Sequence, residues 1–579
     1  MKSIQDIVHK HYSMRPLEEK GRSIWKSFSF GEKSIALLLI AVFILSGISL
    51  LFSVSKSFLV EVPEYGGSFT EGIIGIPRFI NPLLAISDAD KDLTSLVYSG
   101  LLKATPTGEL ISDLAQTWNI SENGRTYTFV LKDNLYFHDG KPVTTDDVEF
   151  TIQKALDPLL KSPRRGNWEG VVVEKKSLTE ITFSLKQPYA PFIENATLGI
   201  LPKHVWKNAS SDEFAFSDYN VNPIGSGPYK VKDVKRNSAG LPVSFELTSF
   251  SRYSLGRPYI KNISLKIYQS EQELIDAWKS RSVESISGVS AEKIAALNIG
   301  NFNVYNASLP RIFGVFFNQN QAKIFLHKEV RQALALTTNK EEIVRGTLLG
   351  YGSPLEGPVP YFISGKEKSE SFTSIEDARA LLEKNGWVKN EDGILQKKDE
   401  KLSFSLSTSD APELKKTAEI LKKMWEPLGV NVDVKVFETG DLNQNIIRPR
   451  KFESLLFGMV IGRDLDLYPF WHSSQRNDPG LNISAYANIT TDKILEQIRN
   501  SIDPLKRQEL YKNFESEIQK DIPAIFLYSP DFIYITPKRI HAIELGHVQT
   551  AGERFLNINT WFIETNNVWK IFTTEEKNN

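Results

Sequence analysis

Apolar and polar positions along this chain change period several times, and the first change is the sharpest. Ser34–Ser55 (SIALLLIAVFILSGISLLFSVS) runs without a charge between Lys33 and Lys56 and has no polar face at helical spacing. At ~1.5 Å per residue such a run spans a hydrocarbon core of ~30 Å. Further on, the period drops to two in TYTFVL (126–131) and in Val430, Val432, Val434 and Val436, which predicts strands. It rises to four in Leu510, Phe514 and Ile518, which predicts one buried face of a helix. Ser374 and Asp377 have the spacing of a capping box for a helix through Ala378, Leu381 and Leu382, which Asn385-Gly386 closes. A strand at Leu402–Leu406, a helix near Glu413–Trp425 and the strand at 430–436 then make a βαβ unit. Asp503-Pro504 supplies the N-cap and first residue of the helix carrying Leu510, and DIPAIFLYSPDFIYI (521–535) reads as strand entering a core. This alternation predicts mixed α/β lobes.

Composition sharpens the picture in three ways. The 579 residues are too many for one compact domain, so at least two lobes are expected, and 41% hydrophobic with 24% charged residues is a globular composition. A net charge of -1 offers no basic face for nucleic acid. The absence of cysteine rules out disulfides, thiolate metal sites, cysteine nucleophiles and lipid attachment through an N-terminal cysteine. Residues 1–33 carry seven Lys/Arg against four Asp/Glu, so by the positive-inside tendency this tail stays in the cytoplasm and the body after Lys56 lies outside. A cleaved signal peptide with Ser53 and Ser55 at its end is the rival reading, against which stand the long polar tail and the full-length span.

The stretch that most resembles an active site is FHDGKPVTTDDVEF (137–150). Each polar residue in it has a structural task available. Asp139-Gly140 is a tight-turn signal, and Thr144 with Asp147 is a capping box for a helix whose stripe is Val148, Ile152 and Ala155. One histidine beside sequence-adjacent aspartates has no metal-ligand spacing. PIGSGPYK (223–230) lacks the phosphate-loop pattern and reads as a glycine-rich connection. No G-x-S-x-G elbow occurs, and the eight histidines share no motif, so no catalytic residue, metal ligand or cofactor is assigned.

Seven collinear stretches resemble extracellular solute-binding protein family 5, the peptide- and nickel-type binding proteins of ABC importers. They are FINPLLAISDADKDLTSLVYSGLLK (79–103), GELISDLAQTWNISENGRTYTFVLKDNLYFHDGKPVTTDDVEFT (108–151), LPKHVW (201–206), NPIGSGPYKV (222–231), FFNQNQAKIFLHKEVRQALALTTNKEEIV (316–344), LKKMWEPLGVNVDV (421–434) and DIPAIFLY (521–528). The resemblance implies an α/β, two-lobed periplasmic-binding-protein-like fold of the cluster C type. Two crossover strands near Leu309–Phe317 and Ile522–Tyr528 would join the lobes, preceded by one N-terminal transmembrane helix. The expected organisation is a cytoplasmic tail (1–33), an anchor in the cell membrane (34–55), first lobe (56–310), second lobe (311–525) and a return to the first lobe (526–579).

The implied function is binding peptides between the lobes and delivering them to ABC transporter permease subunits, without catalysis. Nickel or an oligosaccharide as ligand, a surface receptor and a hydrolase are the alternatives. Position by position, the implied ligand contacts are Ile86, Ser87 and Asp88 in the first lobe and Gly458, Met459 and Val460 in the second. The position where peptide-binding members hold the α-amine with an aspartate is Arg463, flanked by Asp464 and Asp466. Either aspartate serves after a one-residue shift, the arginine instead grips a carboxylate, or these charges line a solvated rim. Trp471 is a candidate stacking surface beside Phe470 and Tyr468, and His472 is the one histidine near the expected pocket.

Overall fold

The structure is a computed structural model that describes residues 22–360 and 374–570. Most of the basic tail, with His9 and His11, lies outside the described residues. The chain forms two compact units, one from its two ends, through Glu64 and from Glu564, and one from Tyr65–Ile563.

In the first unit, the helix Phe30–Phe58 is 29 residues long, and its stretch Phe30–Leu51 is apolar enough to cross a membrane and nowhere buried. Ser29 starts it, donating its N–H and hydroxyl to Glu32 Oε2 at 2.8 Å each. This start lies four residues before the uncharged run, because a cap and a charged first turn precede the apolar stretch. Beyond the helix, Leu59–Glu64 pairs antiparallel with Glu564–Trp569, and Phe58 stacks on Trp569 with ring centres 6.4 Å apart.

The second unit is built on a 12-stranded sheet whose two halves are joined by one central strand, Ala524–Pro537. Its first half pairs with Arg311–Phe317 and Gly352–Pro354, and its second half with Phe302–Ser308 and Ser285–Ser287. Phe302–Ser308 and Arg311–Phe317, broken only at Leu309-Pro310, thus form the second crossover strand. The fold is the two-lobed α/β architecture with two crossovers. On the far side of the crossover, Gly66–Ile74, Ile260–Tyr268, Pro242–Ser249 and Tyr229–Arg236 complete the first lobe's part of the sheet. Ser454–Val460, Ser403–Ser409 and Asn431–Phe437 complete the second's.

The apolar run in Ala524–Pro537 follows from burial on both faces. Ile525 and Leu527 enter one core cluster of the second lobe and Ala524 and Phe526 another. Phe532 and Tyr534, and Ile533 and Ile535, divide in the same way in the first lobe.

The local elements form as their sequence predicts. Ser403–Ser409, the helix Pro412–Trp425 and Asn431–Phe437 are a parallel βαβ unit. Ser374 accepts the N–H of Asp377 at 3.0 Å, and Asp503 accepts the N–H groups of Leu505 and Lys506 at the start of Pro504–Asp521, where Leu510, Phe514 and Ile518 are buried. Thr144 begins the helix Thr145–Leu156 and donates its N–H to the Asp147 carboxylate at 2.9 Å.

His138 clamps the glycine-rich connection. Its Nδ1 accepts the Gly225 N–H at 3.3 Å and its Nε2 donates to Gly227 O at 3.1 Å, and burial pushes its pKa down to about 4. Both glycines are there for close approach: a Cβ on Gly225 would lie 2.0 Å from Val97 O.

Candidate functional site

The strand Ser454–Val460 is held along one edge by Arg311–Phe317. Ile461 donates to Pro310 O at 2.8 Å, so by antiparallel alternation Gly458 and Val460 turn their N–H and C=O groups to the opposite edge. The Leu456 carbonyl, in the same phase, accepts the Thr408 hydroxyl at 3.0 Å. Ser403–Ser409 pairs with that edge only at Ser454 and Leu455, so among the described residues no strand covers it at Gly458 and Val460. Met459 points into the core and is 4% exposed, whereas Val460 is 61% exposed.

The loop after this strand carries the charges singled out in the sequence, and each has a different fate. Arg463 reaches across to the first lobe, with Nη2 2.7 Å from Glu553 Oε2 and Nη1 3.9 Å from Glu194 Oε2. Asp466 is gripped by Arg499 through Nε at 2.9 Å and Nη2 at 2.5 Å, and it accepts the Tyr189 hydroxyl at 3.2 Å. Arg499 in turn lies 3.8 Å over the Tyr468 ring. Among the described residues the Asp464 carboxylate makes no ion pair, and the one cation that pulls its pKa down is the nearby Arg507. Arg507 bonds its backbone carbonyl at 2.9 Å, and the carboxylate receives a long 3.4 Å contact from the Asp466 N–H. Burial and the nearby Asp466 push the Asp464 carboxyl up to about 6. Burial likewise pushes Glu194 up to about 7 against the pull of Arg463, and raises Glu553.

Glu553 is placed by its neighbour. Arg554, fully buried, donates to both oxygens of Asp92 (2.7 and 2.9 Å) and to Glu71 Oε1 at 2.7 Å, and Tyr534 donates to Glu71 Oε2 at 2.7 Å. This network ties the segment carrying Glu553 to a strand, a helix and the long crossover strand of the first lobe.

Three cavities meet at this loop. One of about 440 Å³ is lined by Tyr98, Arg164, Glu194, Arg463, Asp464 and Glu553 among others. A second, of about 700 Å³, is lined by Asn167, Tyr189, Asp464, Asp466, Phe470 and Arg499. A third, of about 290 Å³, lies between Pro310, Arg463 and His547. Gly462 lines all three, and a Cβ there would sit 2.4 Å from Asp464 Oδ1, so a glycine lets that carboxylate fold back over the loop.

Other expected contacts lie elsewhere. Ile86 is 66% exposed, Asp88 faces Lys91 at 4.0 Å, and Ser87 is a helix N-cap that exchanges hydrogen bonds with Asp90 at 3.1 and 3.2 Å. Pro82, Ala85 and Lys91 around them line the 440 Å³ cavity, whereas these three, like Gly458, Met459 and Val460, line none of the three cavities. Trp471 is 1% exposed and packs among Phe316, Tyr486, Phe514 and Phe526, so it is a core residue and its neighbour Phe470 is the aromatic at the cavity wall. His472 sits beside Ser474 and Asp492, and among the described residues no three His, Asp or Glu side chains group as a metal site. Sequence reasoning missed Arg164, Tyr189, Glu194, Arg499 and Glu553, which carry no motif and meet the loop only in the fold.

The model for bacterial extracellular solute-binding proteins, family 5 Middle, matches residues 109–479. The chain belongs to this family. Family 5 proteins bind solutes, and the chain is accordingly a binding protein of the peptide/nickel ABC-transporter type and not an enzyme. It is similar to the oligopeptide-binding protein AppA of Bacillus subtilis, 27% identical over 521 residues that cover 86% of this chain and 92% of AppA. The solved structure of that AppA, in complex with a nonapeptide, has a TM-score of 0.65 and covers 87% of this chain and 100% of its own. NikZ from Campylobacter jejuni, solved in complex with Ni(L-His), is 25% identical, with a TM-score of 0.67 and coverage of 86% and 99%.

Proposed function

We propose that this family 5 protein is a membrane-anchored, extracytoplasmic peptide receptor that hands its ligand to the permease subunits of an ABC importer. The observation that carries the peptide reading is the pairing of a buried carboxylate with no ion pair among the described residues, Asp464, with the open edge at Gly458 and Val460. An extended peptide adds as a strand to such an edge, and a carboxylate in a cleft shielded from water takes its α-ammonium in a charge-assisted bond. Of the two aspartates Asp464 takes this role, because Arg499 already neutralises Asp466. The nonapeptide bound by AppA supports a peptide ligand. We take the first lobe as 65–308 with 531–563 and the second as 311–528, hinged where the long strand changes partners. The apolar helix Phe30–Phe58 supports anchoring, with the body outside the cytoplasm.

Calorimetric titration of the detergent-solubilised full chain with peptides of two to nine residues and their N-acetylated forms tests this reading. Free-amine peptides are expected to bind and acetylation to weaken them at least tenfold. Heat from Ni(L-His) or an oligosaccharide but from no peptide would overturn it. For the anchor, the intact chain is expected to stay with membranes after an alkaline carbonate wash, and a soluble form beginning near residue 56 would contradict it.

A further inference from the structure

The ribbon that follows the apolar helix is amphipathic along its length and not across its faces. Leu59–Glu64 and Glu564–Trp569 set Leu59 opposite Trp569 and Val60 opposite Val568 at the end beside the helix. Directly opposed residues of an antiparallel pair share a face, so these two rungs make both faces apolar there. Every carboxylate of the ribbon lies beyond them: Glu61, which accepts the Thr565 hydroxyl, and the facing pair Glu64 and Glu564. A sheet with one face on a core alternates apolar and polar residues from face to face. A ribbon standing upright through a boundary between apolar and aqueous surroundings sorts them from end to end instead.

The apolar end is not covered by protein. Phe58, Val60 and Trp569 are exposed, Trp569 by 46%, and among the described residues no third strand joins the pair. A two-stranded ribbon by itself is marginally stable at best in water, so these side chains call for a further apolar contact. Continuity with the helix fixes the level at which they meet it. The uncharged run ends at Ser55, and the helix continues to Phe58, ~4.5 Å further, before the chain passes without a loop into the strand at Leu59. Headgroup layers add ~5–8 Å on each side of a ~30 Å hydrocarbon core, so Phe58 and the Trp569 ring stacked on it fall within such a layer. Glu61, two strand residues or ~7 Å beyond Leu59, falls at its aqueous edge. Tryptophan is enriched at this level of a membrane because its ring is apolar and its N–H is polar. Here the tryptophan comes not from the helix but from a strand far along the chain.

We propose that the strand Glu564–Trp569 is a second membrane contact: Trp569, with Phe58, Leu59, Val60 and Val568, docks in the headgroup layer of the lipid bilayer on the side where the ribbon emerges, and the ribbon stands on that layer as a short stalk. The proposal rests on the anchor reading of the helix and adds a distant segment to the attachment.

The chain has no cysteine, so one introduced cysteine gives one labelled position. Full-length Leu51→Cys, Val568→Cys and Glu564→Cys, each carrying an NBD fluorophore, are reconstituted in vesicles of phosphatidylcholine and phosphatidylglycerol. They are compared for quenching by a lipid with a nitroxide near the top of its acyl chain. Quenching is expected at positions 51 and 568, at 568 at least threefold stronger than at 564, which lies four strand residues or ~13 Å farther from the helix. Adding Trp569→Ser to Val568→Cys should at least halve it. Quenching at 51, with none at 568 beyond the level at 564, would overturn the contact and leave the anchor standing; a second copy or a protein partner covering these residues gives this result. Absence of quenching at all three positions would overturn the anchor as well. Undiminished quenching at 568 in the Trp569→Ser background would overturn the part given to Trp569. The comparison of 568 with 564 keeps Trp569 in place, so loss of strand pairing in the Trp569→Ser variant does not obscure the outcome.

Discussion

Replacing Asp464 with asparagine should make the unliganded protein more stable and its ligand affinity worse. The carboxyl titrates at about 6 instead of 3.8, because burial and the nearby Asp466 outweigh the pull of Arg507. A shift of about two units at ~1.4 kcal/mol each means that the ionised group costs the folded, unliganded protein on the order of 3 kcal/mol at pH 8. The sign follows from the raised value: the folded state holds this proton more tightly than the unfolded chain, so stability falls as pH rises from about 4 to about 6 and the full cost is present above that. Asparagine removes the cost, so Tm should rise most at pH 8, roughly half as much at pH 5 and little below about pH 4. A peptide ammonium placed against Asp464 recovers up to the same ~3 kcal/mol, so the variant should bind a free-amine tripeptide roughly a hundredfold more weakly at pH 7.5 by calorimetry. Wild-type affinity should also weaken as pH falls through about 6, where Asp464 takes up a proton, and again above ~8, where the peptide amine loses one. Glu194 titrates at about 7, so the acid limb has two sources, and the part lost in the variant belongs to Asp464. Affinity within twofold of wild type, or an unchanged acid limb, would refute the assignment.

Arg463→Gln leaves Glu194 and Glu553 facing each other without their cation. Thermal denaturation should show a loss of about 2 to 3 kcal/mol at pH 8 and a smaller one at pH 5.5, where Glu194 is protonated. Arg554→Met strands Glu71 and Asp92 in the first-lobe core and should cost about 3 to 5 kcal/mol in urea denaturation. Gly225→Ala drives a methyl group onto the Val97 carbonyl and should cost about 3 kcal/mol by the same assay, while Gly166→Ala, with nothing within 4 Å, should be close to neutral.

What was legible in the sequence was closed within a few residues or repeated along an element. The caps at Thr144, Ser374 and Asp503 each join a side chain to a group two or three positions away, so spacing alone encodes them. The βαβ unit, the uncharged helix and the stripe of Leu510, Phe514 and Ile518 are periodic patterns, and periodicity survives without knowledge of the partner. FHDGKPVTTDDVEF forms the turn and the capped helix that its local spacing encodes, whereas its grip on Gly225 and Gly227 through His138 comes from the fold.

The sequence by itself thus determined the elements, the family and the loop GRDLD as the place to look. Tertiary structure decided which charge in that loop remains available. Asp464 and Asp466 are two residues apart and chemically identical, and they part company because Arg499 folds onto Asp466 and Tyr189, 277 positions away, closes over the same carboxylate. Arg463 is occupied by Glu194 and Glu553, one on either side of it in the chain and both distant. Trp471 turned inward to the core and Ser87 was consumed by its own helix. Whether a side chain faces a ligand depends on every group that packs against it, and those groups come from far-separated segments that no local spacing brings together.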